Sequence, residues 1–246
     1  MLRLKLIIAT LFALFLVEVA IAESNLNQIV VTPSKRPTTI FNSLNSIEVV
    51  TQDDIKKYGY RTIDEILNLS SSISIGSNGG LGQTKSIFLR GTESNHTKVL
   101  LNGVELNPGT LGVPSIQHIS VEMINRIEIA KGGMSTLYGR DSIGGVINII
   151  TKQHDEKLAN ELMMSSGSFN TNKINFFKTF SKNFHNFSIN YSNTWSNSFK
   201  AKVTSTKNHT YNNENLNLNY GYSLSLIHIS EPTRPRLISY AVFCLK

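Results

Sequence analysis

"INRIEIAKGGMSTLYGRDSIGGVINIITK", residues 124–152, decides how the first half of the chain folds. It contains a strand, "RIEIA", and then a glycine-rich stretch holding the pairs Gly132-Gly133 and Gly144-Gly145. A β-branched strand from Val146 to Thr151 closes it. Ser120 is placed to cap a helical turn from Val121 to Asn125 just before the first strand. Working outward, "SISIG", "SIFLRG" and "KVLLNGVEL" supply further short strands. In the last of these, Asn102-Gly103 between apolar runs signals a two-residue hairpin, because a type I′ turn needs positive φ at both positions. Thr51 can cap a short helix carrying Asp53 and Asp54 in its first turn, where the helix dipole favours acids. Thr62 with Glu65 reads as a capping box before Ile63, Ile66, Leu67 and Leu69, an apolar face at helical spacing. Residues 47–151 therefore read as one mixed α/β unit, long enough for a small core. Glycines also gather around 76–82 and 109–112, mostly as turn chemistry.

After a charged break at 152–157 the character changes. "FSINYS" sets Phe187, Ile189 and Tyr191 against Ser188, Asn190 and Ser192. "LNLNYGY" sets Leu216, Leu218, Tyr220 and Tyr222 against Asn217, Asn219 and Gly221. "INFFKTF" alternates more roughly, with Ile174, Phe176 and Phe180 on one face, and "NELMMSSGSF" is the weakest case. Several such strands in series fit a barrel with lipid outside and water inside. About four strands cannot close one, and only closure satisfies strand backbones in lipid. Residues 152–223 thus read as the start of a transmembrane antiparallel β-barrel.

Upstream, Arg3 and Lys5, an apolar run from Leu6 to Val17, and Ala20-Ile21-Ala22 make a secretory signal over 1–22, with cleavage expected after Ala22. The apolar run falls short of the ~20 residues of a spanning helix. The segment 23–46 then carries "NQIVVTPSKRP". Its β-prone run Ile29, Val30, Val31 and Thr32 is stopped by Pro33 and followed by Lys35, Arg36 and Pro37, so it reads as an isolated strand rather than an interior one. The expectation is that the basic, proline-containing link keeps this strand from docking permanently into the sheet of the α/β unit, so that it can extend a partner's sheet.

The formal net charge is +7, but Arg3, Lys5 and Glu18 account for one unit, and Arg234, Arg236, Lys246 and Glu231 for two. The remaining +4 is spread without a dense basic block, which argues against a nucleic-acid partner. The one cysteine, Cys244, offers no disulfide framework. It lies in residues 224–246, "LSLIHISEPTRPRLISYAVFCLK", where the alternation stops; this stretch resembles a translated sequencing-library adapter and is read as non-native. Catalysis finds no support. "GSNGGLGQTKS" puts Thr84 where a phosphate loop requires glycine. The six histidines (His96, His118, His154, His185, His209 and His228) form no close pair, and no nucleophile elbow occurs. A passive porin or adhesive barrel would explain the strands, but not the α/β unit or the isolated strand before it.

An exported α/β unit ahead of outer-membrane-type strands resembles the TonB-dependent outer-membrane receptors. The likeness rests on "IFLRGTESNHTKVLLNGVELN", on "INRIEIAKGGMSTLYGRDSIGGVINIITK" and on the spacing between them. It implies an α+β plug domain over 47–151, inside a barrel of roughly 22 strands. It makes Ile29, Val30, Val31, Thr32 and Pro33 a TonB box and the TonB energy-transducing protein a partner, with outer-membrane lipid around the barrel. Within the family, "SNGGLGQTKSIFLRG" resembles the apical loop of the cobalamin-transporting members. By that resemblance Asn78, Gly80, Gln83 and Thr84 would contact ligand. Thr110, Leu111 and Gly112 would do so from a second apical loop, "NPGTLGVPS", which is about one residue shorter than the family pattern and carries Pro108 and Pro114. The ligand expected is cobalamin, with a ferric siderophore as the alternative. No cofactor is expected, and calcium only in barrel loops beyond the readable strands; no metal ligand is assignable. Arg90 and the pair Arg140-Asp141 lie in plug motifs and are read as local ion-pairing groups.

Overall fold

The computed structural model describes residues 28–153, 160–182, 184–200, 206, 208–222 and 243–244. The signal segment with Ala22, and all of the adapter-like tail except 243–244, lie outside the described residues. Four sheets organise the rest. A mixed five-stranded sheet has the order β3 (Ser46–Thr51), β8 (Ile124–Lys131), β9 (Gly145–Thr151), β6 (Thr97–Leu101) and β7 (Val104–Glu105). All its pairs are antiparallel except the parallel pair β6–β9. A separate hairpin joins β4 (Ile73–Ser77) to β5 (Lys85–Leu89), and a two-residue ladder joins β1 (Ile29–Val30) to β2 (Thr38–Thr39).

Period-two alternation gives the five-stranded sheet two unlike faces. Val99, Ile127, Ile129, Ile147 and Ile149 point into the main core with Ile55, Ile63, Ile66 and Leu67 from the two helices below. Full burial of each such side chain contributes about 1.5–3 kcal/mol. Leu100, Ala130 and Val146 point the other way into a smaller cluster with Met134, and Glu128 lies opposite Asn148 in the same ladder.

Helix Gln52–Tyr58 begins on a complete capping box. Asp54 N–H donates to Thr51 Oγ1 at 3.3 Å, and Thr51 N–H donates to Asp54 Oδ2 at 3.0 Å. The box expected at Thr62 and Glu65 does not form. Thr62 precedes helix Ile63–Leu67 without a side-chain cap, and the Glu65 carboxylate reaches past it to the Arg61 N–H at 2.7 Å. The helical turn expected over 121–125 is shorter, a 3-10 turn at Val121–Met123, because Ile124 is already recruited into β8. Ser120 does not cap it; its hydroxyl donates to Glu122 instead, at 2.8 Å. The Asn102-Gly103 hairpin is as read, with φ of 50° and 84°.

The second large sheet is antiparallel and unclosed: β10 (Glu161–Gly167), β11 (Thr171–Lys182), β12 (His185–Ser196), β13 (Tyr211–Tyr222) and the two-residue β14 (Phe243–Cys244). The 12-residue strands β11, β12 and β13 exceed the ~9–11 residues that cross a bilayer core. In β12 and β13 the polar residues are the covered ones, while β11 adds Asn175 and the apolar Phe177 to the covered face. Ser188, Asn190, Ser192, Thr194, Ser196, Asn217 and Asn219 are buried against the α/β unit, while Phe176, Phe180, Phe187, Tyr220 and Tyr222 are exposed. Polar contacts join the two units: Asn217 Nδ2 donates to Thr151 Oγ1 at 3.1 Å, Asn219 Nδ2 to the Lys152 carbonyl at 3.4 Å, and Asn213 Nδ2 to the His118 carbonyl at 2.8 Å.

Candidate functional site

The glycine-rich loop between β4 and β5 meets the barrel sheet at a cavity of about 320 Å³. Gly79, Gly80, Leu81 and Gly82 form one wall, and Phe169, Phe199 and Tyr211 from the barrel side form another. The loop approaches the rings so closely that side chains do not fit. A Cβ on Gly80 would stand 2.9 Å from the Phe199 ring, and one on Gly82 2.5 Å from the Tyr211 ring. Gly82 also has φ +78°, which L side chains rarely adopt. Glycine is required here by contact as well as by turn geometry.

The floor of the cavity is charged. Lys85 Nζ donates to Asp64 Oδ2 at 3.1 Å and to Ser77 Oγ at 2.7 Å. Burial pushes the Asp64 carboxyl up, but the bonds from Thr62 and Lys85 outweigh it and hold the group below its usual value. Nearby, Lys173 Nζ bridges the Arg61 carbonyl at 2.9 Å and Glu122 at 3.4 Å, tying β11 to the α/β unit.

Of the expected ligand residues, Gly80 lines this cavity. Asn78, Gln83 and Thr84 lie in the same loop but not on the cavity wall, and the Asn78 N–H closes the loop on the Thr84 carbonyl at 3.3 Å. Thr110, Leu111 and Gly112 are not brought to it. Their loop is fixed elsewhere, by Asn107 Nδ2 donating to the Thr97 carbonyl at 3.0 Å and to the Gly112 carbonyl at 2.6 Å, with Leu111 exposed. Phe169, Phe199 and Tyr211 were missed in the sequence, since two come from connections between barrel strands and Tyr211 opens β13, with no local motif marking any of them. Arg140 forms a local pair with Asp141 at 3.4 Å and donates to the Gly109 carbonyl at 3.2 Å; Arg90 is exposed.

The N-terminal run, read as an isolated strand, is not free of the α/β unit. It does not join the five-stranded sheet, but it is docked on that sheet's reverse face. Val30 and Thr32 are fully buried. The cause is one acidic side chain: Glu128 Oε2 accepts from the Val31 N–H at 3.0 Å, the Thr32 N–H at 2.9 Å and Thr32 Oγ1 at 2.6 Å. Arg126 Nε donates to the other carboxylate oxygen at 2.9 Å. Tyr138 donates from its hydroxyl to the Thr32 carbonyl at 2.7 Å, and Lys35 Nζ lies 4.7 Å from the Tyr138 ring centroid. Burial pushes the Glu128 carboxyl up, yet the bonds from Thr32, Val31 and Arg126 prevail and hold it below its ordinary value. Burial, and then the Glu128 charge, raise the Tyr138 hydroxyl. Strand pairing of Ile29–Val30 with Thr38–Thr39 completes the fastening.

A mixed α/β unit seated against the polar face of an unclosed antiparallel sheet, with an extended segment ahead of it, is the architecture of a plug against part of a barrel. Residues 39–146 match the TonB-dependent Receptor Plug Domain family. Among curated proteins it is similar to the vitamin B12 transporter BtuB of Photobacterium profundum, at 36% identity over 146 residues. It is also similar to that of Vibrio cholerae serotype O1 strain O395, at 32% over 146 residues. Each alignment covers 59% of this chain and 24% of the relative, so the chain spans about a quarter of the length of the curated relatives it matches. Among solved structures, the pyoverdine outer membrane receptor FpvA of Pseudomonas aeruginosa PAO1 superposes with a TM-score of 0.67 at 17% identity, covering 80% of this chain and 28% of that one. The ferric yersiniabactin uptake receptor FyuA of Yersinia pestis gives 0.60 at 19%, covering 73% and 29%. At these identities the structural likeness speaks for the fold.

Proposed function

We propose that the chain is the N-terminal part of an outer-membrane receptor that binds a large, scarce ligand and imports it with energy transduced by TonB. The observation that carries this reading is the plug seated on the buried polar face of barrel-type strands, with its glycine loop opening on a cavity lined by Gly80, Phe199 and Tyr211. The ligand we favour is cobalamin. The similarity to curated vitamin B12 transporters supports it, as do the neutral donors and acceptors of Asn78, Gln83 and Thr84 around the loop. A ferric siderophore is the second reading, favoured by the aromatic wall of Phe169, Phe199 and Tyr211 and by Lys85 and Lys173 at the cavity.

In this mechanism ligand occupies the apical cavity, the segment around Ile29–Val30 leaves the plug, and TonB pairs with it through main-chain hydrogen bonds. Uptake by the full-length receptor should vanish in cells lacking the inner-membrane energising complex; uptake that persists marks a passive pore. Titration of the purified receptor with cobalamin and with ferric siderophores separates the two ligands, and tight binding of neither rejects both. Val31→Pro should leave ligand binding intact and abolish transport. Unimpaired transport would reduce Ile29 to Pro33 to a simple tail.

A further inference from the structure

We propose that Glu128 is the latch of this receptor: its buried carboxylate holds the N-terminal segment closed on the plug, and segment release requires that this carboxylate give up Val31 and Thr32. The inference rests on the reading of Ile29 to Pro33 as the segment a partner must reach, and it names the side chain that withholds it.

The geometry is that of an anion site whose ligand is the protein's own backbone. Two consecutive N–H groups and a hydroxyl converge on the single atom Glu128 Oε2, within 3.0, 2.9 and 2.6 Å. The opposite oxygen is held by Arg126, which fixes the carboxylate plane. Glu128 is fully buried and sits mid-strand in β8, between the isoleucines that anchor the main core. Its backbone is therefore rigid, and the mobile partner is the segment. Tyr138 and Asn148 complete the enclosure of Thr32, donating to its carbonyl at 2.7 Å and to its hydroxyl at 3.3 Å.

This arrangement occupies main-chain groups that a partner would need. The Val31 and Thr32 N–H groups are engaged by Glu128, and Ile29 and Val30 are paired with Thr39 and Thr38. A strand whose amides are taken cannot extend a second sheet. Each contact is also breakable: charge-assisted hydrogen bonds are strong while the carboxylate is ionised and desolvated, but a few of them hold only a few residues. The charged and titratable groups facing the carboxylate are Arg126 on its own strand, and Tyr138 across the segment with Lys35 over its ring.

Hydrogen–deuterium exchange of the Val31 and Thr32 amides in the full-length receptor, without ligand or partner, reads the latch directly. In Glu128→Gln, exchange at these two amides should accelerate about tenfold to a hundredfold, while peptides around Ile147 stay protected. Glu128→Asp keeps the charge but draws the carboxylate back from the two amides by one methylene, and should accelerate the same amides about tenfold. If Glu128→Gln also loses protection at Ile147, Glu128→Asp decides: acceleration at Val31 and Thr32 with Ile147 still protected supports the latch. Unchanged exchange of Val31 and Thr32 in Glu128→Asp overturns it, as does unchanged exchange in a folded Glu128→Gln receptor. Neither reading depends on transport. Failure of the energised-import reading would appear instead as uptake without the energising complex, with the exchange result standing apart.

Discussion

The plug sheet and the barrel sheet alternate with the same period and are covered on opposite kinds of face. In β8 and β9 the isoleucines Ile127, Ile129, Ile147 and Ile149 are buried. In β12 and β13 the covered residues are Ser188, Asn190, Ser192, Asn217 and Asn219, and the large apolar side chains face outward. The difference teaches that alternation fixes only the existence of two faces. Which face is covered depends on what it packs against, a hydrophobic core for one sheet and the polar surface of the α/β unit for the other.

The largest expected effect comes from breaking the plug side of this comparison. Ile147→Asn buries an unpartnered amide and should cost about 3–5 kcal/mol in plug stability, read by urea unfolding. On the barrel side Asn190→Leu should cost about 1 kcal/mol, the net loss of its hydrogen bond with Asn175. Equal costs would mean the two interiors are alike. Reversing the outward face is next: Phe176→Lys should destabilise the bilayer-folded receptor by about 2–4 kcal/mol if it lies near the midplane. The exposed plug position Val104→Lys should stay within about 0.5 kcal/mol. Comparable effects at both sites would deny β11 a lipid-facing side.

A smaller difference concerns two glycines of similar backbone. Gly82 and Gly103 have φ of +78° and +84°, but only Gly82 has a ring against it; a Cβ on Gly103 meets nothing within 4 Å. Alanine should cost each about 1 kcal/mol of backbone strain. Gly82→Ala should in addition weaken ligand binding by displacing Tyr211, whereas Gly103→Ala should leave titrations unchanged. The smallest effect is the response to acid. The Asp64 and Glu128 carboxyls are both held below their ordinary values of 3.8 and 4.5, so their contributions are complete above those values and lost only as pH falls through the lower folded ones. Plug stability and Val31 exchange should therefore be flat from pH 7 to about 5 and change only in stronger acid. A change near neutrality would contradict the ionised, hydrogen-bonded state of both groups.

Much of this was legible in the chain itself. "INRIEIAKGGMSTLYGRDSIGGVINIITK" carries its β8 and β9 strands in its β-branched runs, and Asn102-Gly103 carries its turn, because both depend on neighbours in sequence. The Thr62–Glu65 box was legible and did not form, since Glu65 found the Arg61 N–H instead. At the candidate site the glycine loop was visible, but the rings that close on it were not, since Tyr211 stands far along the chain from Gly82. Glu128 passed as one polar residue inside "RIEIA".

The sequence by itself determined the strands, the turns, the plug-like unit and the strand-prone segment at Ile29, because short-range propensity and period-two patterning are written residue by residue. Only the tertiary structure decided that this segment is held, and by what. Thr32 and Glu128 are 96 residues apart, and their bond exists because the fold lays the N-terminal segment over the reverse face of β8. No local pattern records such a meeting; burial of a carboxylate among main-chain amides is a property of the assembled fold.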